Sequence, residues 1–409
     1  MIGRLKQLPR PLFFLFAGTI VTRLGSFVFP YLTIYLSESR GYSYETVGVV
    51  LSVGSLGLLA GNFAGGVLTD GWSRKWTLIM ALLLNASGFA GLALHYAHPW
   101  SYALFLFIGY LGSGLFTPAA NTVIADVAPE NIRPFAYTVN YFCINLGMGL
   151  GPLLGGFLAT VSYRLIFVGD VVTSLVCAAL ILYGVSETKP FSTIAVNKRA
   201  RAPRMTWSVW RSNQTVVVFC FFYFFLIGPL MGMEFAVPLL VKQEFSSSLV
   251  YVGVVYTINA SCILAFSFLI EKLVRGRDTI LMMVVSGTLW TLGMSILLFG
   301  YSVAALLVCT AMWTIGEIIA SILVPTFVAS RVPAAFKGRF MALNDVVRSF
   351  AGVIFPIGLG LLWTYQSAQA VVLTITLLPV IGTVCYAALY LSCSRQEQNV
   401  PATLNTESQ

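Results

Sequence analysis

Six ionisable side chains lie inside long apolar runs: Arg23, Asp170, Glu234, Glu317, Asp345 and Arg348. A charge at the centre of a bilayer costs about 2.5–3.5 kcal/mol on insertion scales, so each needs a partner or a purpose. The chemistry such groups do well is proton exchange. Burial favours the neutral form of a carboxyl and an approaching guanidinium favours the anion, so a buried acid takes up or releases a proton as its surroundings change. Asp345 and Arg348 stand three residues apart, a helical spacing at which they can neutralise each other, and structural pairing is the favoured reading there.

Other chemistries are poorly served. No Gly-x4-Gly-Lys-Ser/Thr loop is present to cradle a nucleotide, and His95 and His98 fall in an expected outer loop without metal-ligand spacing. The seven cysteines are scattered singly through apolar segments, which suits neither a disulfide framework nor a zinc site. They read as small buried hydrophobes. Neither an enzyme nor a metal or organic cofactor is indicated, and a proton gradient is the expected energy source.

The elements that hold these acids follow from composition. Of 409 residues, 58% are hydrophobic and 10% charged, against about 25% charged in a soluble domain. Apolar stretches of roughly 20 residues, enough to cross a bilayer, are expected at 11–36, 44–68, 76–95, 100–127, 134–161, 163–185, 215–241, 250–270, 279–300, 303–330, 339–365 and 368–391. The start imitates a secretory signal, but its apolar run continues past Arg23 with no small-residue cleavage site, so it reads as an uncleaved first span.

The net charge of +9 resides in short loops and forms no continuous basic face, which argues against nucleic acid. With the N-terminus cytoplasmic, nineteen loop lysines and arginines lie on that side, and only Arg40, Arg164 and Lys242 on the other. This bias places both termini in the cytoplasm. The basic stretch 186–213 divides an N-terminal six-helix bundle, 1–185, from a C-terminal one, 214–393, followed by a cytoplasmic tail, 394–409. A shift of 204 residues superposes Pro129 on Pro333, Arg133 on Lys337, Asn140 on Asn344, Pro152 on Pro356 and Gly156 on Gly360. Repeated halves of this kind place a substrate site near the midplane, where they meet.

Between spans two and three the chain reads Gly65-Gly66-Val67-Leu68-Thr69-Asp70-Gly71-Trp72-Ser73-Arg74-Lys75. It resembles the signature loop of the major facilitator superfamily, with Gly71 and Ser73 departing from the usual basic residue and glycine. The resemblance implies a cytoplasmic latch: Gly66 lets helices approach, Asp70 caps a helix and takes a charge-assisted hydrogen bond, and Arg74 and Lys75 anchor at the lipid surface. Asp126 and Arg133, flanking the loop after span four, resemble further gating positions of that superfamily.

In span five, Gly147-x-x-x-Gly151-Pro152-x-x-Gly155-Gly156 matches the motif of its drug–proton antiporters without a gap. Glycines at four-residue spacing allow close helix contact and Pro152 frees a backbone bond, so packing accounts for the pattern about as well as gating does.

The resemblance covers nearly the whole chain and implies an all-α major facilitator fold of twelve helices in two six-helix bundles. In that architecture spans one, four, seven and ten line the central cavity, gathering Arg23, Asn121, Glu234 and Glu317 around a substrate. Gly316-Glu317 followed by Pro325 resembles the tenth-helix segment in which an acid couples protons, which gives that role to Glu317, with Glu234 and Asp345 as further candidates. Glu317 facing Arg23 would either alternate between protonated and paired states or form a permanent ion pair. Asn140, where some relatives carry an acid, and the lack of an arginine early in span four depart from the pattern.

The expected protein is a monomeric, multi-pass transporter of a bacterial inner membrane, exporting small lipophilic molecules in exchange for protons, with lipid around it. The alternative is a proton-linked importer or facilitator of a metabolite or peptide-like compound, in which Arg23 binds a carboxylate. A third reading is a membrane-embedded sensor or assembly factor that kept the fold and lost transport.

Overall fold

The computed structural model describes residues 7–26, 28–94, 96–188, 206–244, 250–333 and 336–398. Those residues fold as twelve passes of helix and contain no strand. Span one is broken into Arg10–Leu24 and Val28–Ile34, the latter running into a π-turn at Tyr35–Ser39. The remaining spans are Tyr44–Gly71, Arg74–Leu92, Pro99–Val127, Arg133–Val161 and Tyr163–Gly184, then Gln214–Glu244, Val250–Val274, Thr279–Phe299, Val303–Arg331, Lys337–Tyr365 and Ala368–Gln398. Eleven of them are long and apolar enough to cross a membrane as single helices. The first crosses in two pieces.

Local chemistry sets several ends. Ser43, Ser73, Asp278 and Ser302 cap spans two, three, nine and ten by accepting a backbone N–H two or three residues into the helix, each cap worth about 1 kcal/mol. The break in span one falls at Gly25, where a Cβ would collide with the Thr173 side chain of span six. A chain at that point can therefore pass close to span six only without a side chain.

The last helix runs to Gln398, seven residues beyond the end of the expected span at 391. Of the stretch between spans six and seven, 189–205 lies outside the described residues, and Trp207–Ser212 forms one short helix before span seven.

Spans five and eleven, Arg133–Val161 and Lys337–Tyr365, are each 29 residues long and separated by the same 204-residue shift at both ends. The halves meet through these helices: span five against span eight, and span eleven against span two.

Hydrophobic packing shows which end of the molecule is closed. One continuous core joins residues of both halves, including Tyr31, Val47, Tyr102, Phe235, Val252 and Trp363. At the opposite end each half keeps its own core, one around Leu12, Leu78 and Val123, the other around Phe219, Phe327 and Phe340. The end bearing Arg40 and Lys242 is therefore sealed across the halves. At the end bearing Arg74 the two cores are separate.

Candidate functional site

In the C-terminal half, Glu317 projects from span ten toward span eight. Asn259 Nδ2 donates to Glu317 Oε2 at 3.0 Å and, one helical turn away, to Thr314 Oγ1 at 3.0 Å. Arg348 of span eleven lies within electrostatic reach of Glu317, of Glu234 on span seven and of Asp345. Asp345, the expected local partner of Arg348, is thus joined by two further acids within electrostatic reach of the same guanidinium. Among the described residues three ion pairs come within 4.0 Å, and none includes Arg348.

In the N-terminal half, Arg23, Thr19, Asn121, Tyr137, Asn140 and Tyr141 line a cavity of about 240 Å³ together with Phe116, Thr117, Ala120 and Ile144. Tyr137 Oη donates to the Asn121 carbonyl at 3.0 Å, tying spans four and five together at its wall. Tyr141 lies within electrostatic reach of Glu317, so cavity wall and acid adjoin across the two halves. Arg23, however, does not pair with Glu317. The charged neighbour recorded for its guanidinium is Asp170 of span six, while Glu317 answers to Asn259 and Arg348. Sequence reasoning joined the two because both are central in cavity-lining helices, a criterion that fixes depth and leaves facing open.

The loop between spans two and three is tied into its own half. Arg74 Nε meets Asp126 Oδ2 at 3.2 Å and Arg74 also donates to the Thr69 carbonyl at 3.0 Å, while Lys75 Nζ donates to the Leu182 carbonyl at 2.7 Å. These bonds hold both basic residues to their own half. Ser73 Oγ donates to Glu187, Arg74 N donates to the same carboxylate at 3.2 Å, and Thr188 Oγ1 donates to Asp126 at 3.0 Å. The close helix contact expected at Gly66 falls instead at Gly65, where a Cβ would lie 2.7 Å from Pro118 and 2.9 Å from the Leu115 carbonyl. Gly66 faces open space. Asp70 belongs to span two, but its side chain lies outside the described residues. Arg133 begins span five, its Nε buried without a hydrogen-bond partner among the described residues.

The glycine motif of span five serves two faces. Gly147 and Gly151 pack on the backbone and Cβ of span one at Arg23 and Leu24, beside the break. On the other face the Pro152 carbonyl and Leu153 abut Gly253 of span eight, and Thr257 Oγ1 donates to the Gly149 carbonyl at 2.6 Å. The Pro152 carbonyl also accepts from Tyr31 Oη at 2.6 Å. Gly155 and Gly156 are buried further along the same helix.

The model of the Major Facilitator Superfamily matches residues 15–356. Over 390 residues the chain is 25% identical to the uncharacterized MFS-type transporter YttB of Bacillus subtilis, covering 92% of this chain and 94% of that one. It is 26% identical to the multidrug resistance protein MdtH of Klebsiella pneumoniae, covering 92% and 93%. To the Na(+), Li(+), K(+)/H(+) antiporter of Planococcus maritimus it is 25% identical, covering 83% and 87%. Among solved structures, the peptide transporter POT in complex with sulfate superposes with a TM-score of 0.76 at 15% identity, covering 95% of each chain. At such identity the likeness concerns the fold.

Proposed function

This chain belongs to the Major Facilitator Superfamily, and from that membership we propose that it is a proton-coupled exporter of small lipophilic or drug-like molecules. It is a multi-pass membrane transporter and not an enzyme. The observation that carries the proton-coupled reading is the acid cluster of the C-terminal half, where Glu317, held by Asn259, lies with Glu234 and Asp345 within electrostatic reach of Arg348.

With the basic loops and both termini in a bacterial cytoplasm, the sealed end is the outer one and the cavity opens inward. In that state Glu317 would hold or release its proton according to whether water or Arg348 reaches it, since burial favours the neutral acid and a nearby cation the anion. Substrate would enter beside Arg23, Asn121 and Tyr141. Opening of the outer end then requires the span two–eleven and span five–eight contacts to separate while the other end closes, the alternation expected of two repeated halves around a fixed site. The antiporter and multidrug resistance names of two relatives agree with export in exchange for protons.

One observation favours a second reading. Arg23 lines its cavity without an ion pair inside 4.0 Å among the described residues, a position from which it could take a substrate carboxylate in an importer or facilitator. Purified protein in liposomes with an imposed pH gradient separates the two: export coupling is seen as proton flux on adding a lipophilic cation such as ethidium, import coupling on adding small carboxylates or peptides. Proton flux with none of them would leave no support for coupled transport.

A further inference from the structure

Asp170 stands outside the carboxyl centre of spans seven, ten and eleven, and it is the more deeply buried acid, 5% exposed in the body of span six. Its hydrogen bonding is unusual for a carboxylate. Ser174 Oγ lies 3.4 Å from Asp170 Oδ1 and 2.7 Å from Asn85 Oδ1. The orientation of Asn85 is set on its other side, where Nδ2 donates to the Gly109 carbonyl at 3.2 Å and to Ser113 Oγ at 2.8 Å. A carbonyl can only accept, so Asn85 Oδ1 is the atom that faces Ser174. A serine hydroxyl has a single hydrogen, and the 2.7 Å contact claims it for Asn85. At 3.4 Å Ser174 therefore offers Asp170 at most a long second contact, and among the described residues the buried carboxyl has no strong donor to hold it as an anion.

No cation neutralises Asp170 directly, because none of the ion pairs within 4.0 Å among the described residues includes it. A buried carboxylate so placed would be strongly disfavoured as an anion. Arg23 waits nearby: its guanidinium is within electrostatic reach of Asp170, its Nε has no hydrogen-bond partner, and it lines the cavity. Arg23 also sits immediately before the break of span one, with Gly147 packed on its Cβ and Thr173, three residues from Asp170, packed where Gly25 lacks one.

We propose that Asp170 is a second proton-carrying site, lodged in the N-terminal half. In the present conformation it holds a proton. When span one shifts at its break and Arg23 closes on the carboxyl, the O–H bond breaks, the proton passes to cavity water, and the carboxylate pairs with the guanidinium. The ionisable groups that face it are Arg23 on span one and Tyr110 on span four, which also lies within reach of Glu234. Span three contributes Asn85 and its own span Ser174, neither of which titrates.

The site rests on proton-coupled transport only for its use, so its test is made on the proton itself. Infrared spectra of the full chain in lipid vesicles, taken along an acid-to-alkaline titration, resolve the C=O stretch of protonated carboxyls. Asp170→Asn is expected to remove the contribution of one carboxyl. Arg23→Gln, which leaves Asp170 in place, is expected to extend that contribution to higher pH. The Arg23 variant suffices should Asp170→Asn fail to fold. A spectrum of Asp170→Asn that retains every protonated carboxyl of the parent, or an unmoved titration in Arg23→Gln, overturns the proposal. If the Asp170 contribution is found while pH gradients neither drive nor follow transport, the site stands and the proposed function fails.

Discussion

Gly48 of span two rests directly on the carbonyl of Pro356 in span eleven, and Gly253 of span eight bears the same relation to Pro152 in span five, where a Cβ would lie 2.6 Å from the oxygen. Pro152 and Pro356 are the two prolines brought together by the 204-residue shift. The repeat thus recurs as a pair of symmetric crossings at which the halves close. Each crossing needs a glycine on one helix and a carbonyl on the other.

Gly48→Val and Gly253→Val are expected to wedge these crossings. Overpacking of a tight contact costs about 1–3 kcal/mol, enough to shift an equilibrium between closed and open outer ends by roughly five-fold to more than a hundred-fold. Spin-label distances across the sealed end should lengthen in both variants. Unchanged distances in both would show that the crossings are not what holds that end shut.

The sealed end also carries an ion pair between halves, Lys242 Nζ to Glu38 Oε2 at 3.6 Å. Both side chains are partly exposed, so the pair is worth at most about 1 kcal/mol. Glu38→Gln should move the same distances in the same direction as Gly48→Val, by no more than about five-fold in population, and high salt should erase the difference. A larger effect, insensitive to salt, would mean that Glu38 has another role.

Much of the architecture was legible because the bilayer imposes it. Span lengths, the two halves and the likeness of spans five and eleven all follow from apolar run length and from Arg133 and Lys337 standing at matched places. What the sequence left open was azimuth, since depth along a helix can be counted from its ends but facing cannot. Arg23 was assigned to Glu317 on depth, whereas the break at Gly25 and the packing of Gly147 turn it toward Asp170. Arg348 was assigned to Asp345 on spacing, whereas spans seven and ten bring it two further acids. Arg74 and Lys75 meet Asp126 and the Leu182 carbonyl, partners too distant in sequence for spacing alone to bring to them.

The two glycines of the loop motif give a local test. Gly65→Ala should destabilise the span two–four contact by about 1–3 kcal/mol, lowering the melting temperature of the protein in detergent. Gly66→Ala, with open space around it, should melt as the parent does. Equal melting of the two variants would contradict the placement of the contact at Gly65.

Topology is tested independently of the fold. The bias of nineteen basic loop residues to three predicts that a cysteine at Asn197 reacts with a membrane-impermeant thiol reagent only in broken cells or inverted vesicles. Labelling in intact cells would reverse the orientation and with it the identity of the sealed end.

Coupling is tested at Glu317. Its carboxyl accepts a hydrogen bond from Asn259 and shares Arg348 with Glu234 and Asp345. Glu317→Gln keeps a shape close to the protonated acid but cannot release a proton. It should therefore abolish concentration of substrate against a gradient, and leave downhill exchange measurable. Glu234→Gln, beside it on span seven, should change substrate preference more than coupling. Asn259→Ala removes the neutral donor and leaves Arg348, so pH-driven transport should persist with a displaced pH profile. The assay is uphill uptake into inverted vesicles driven by an imposed pH gradient. Uphill transport by Glu317→Gln at the parental rate would move the coupling proton to another acid, Glu234 or Asp345 being the next to replace.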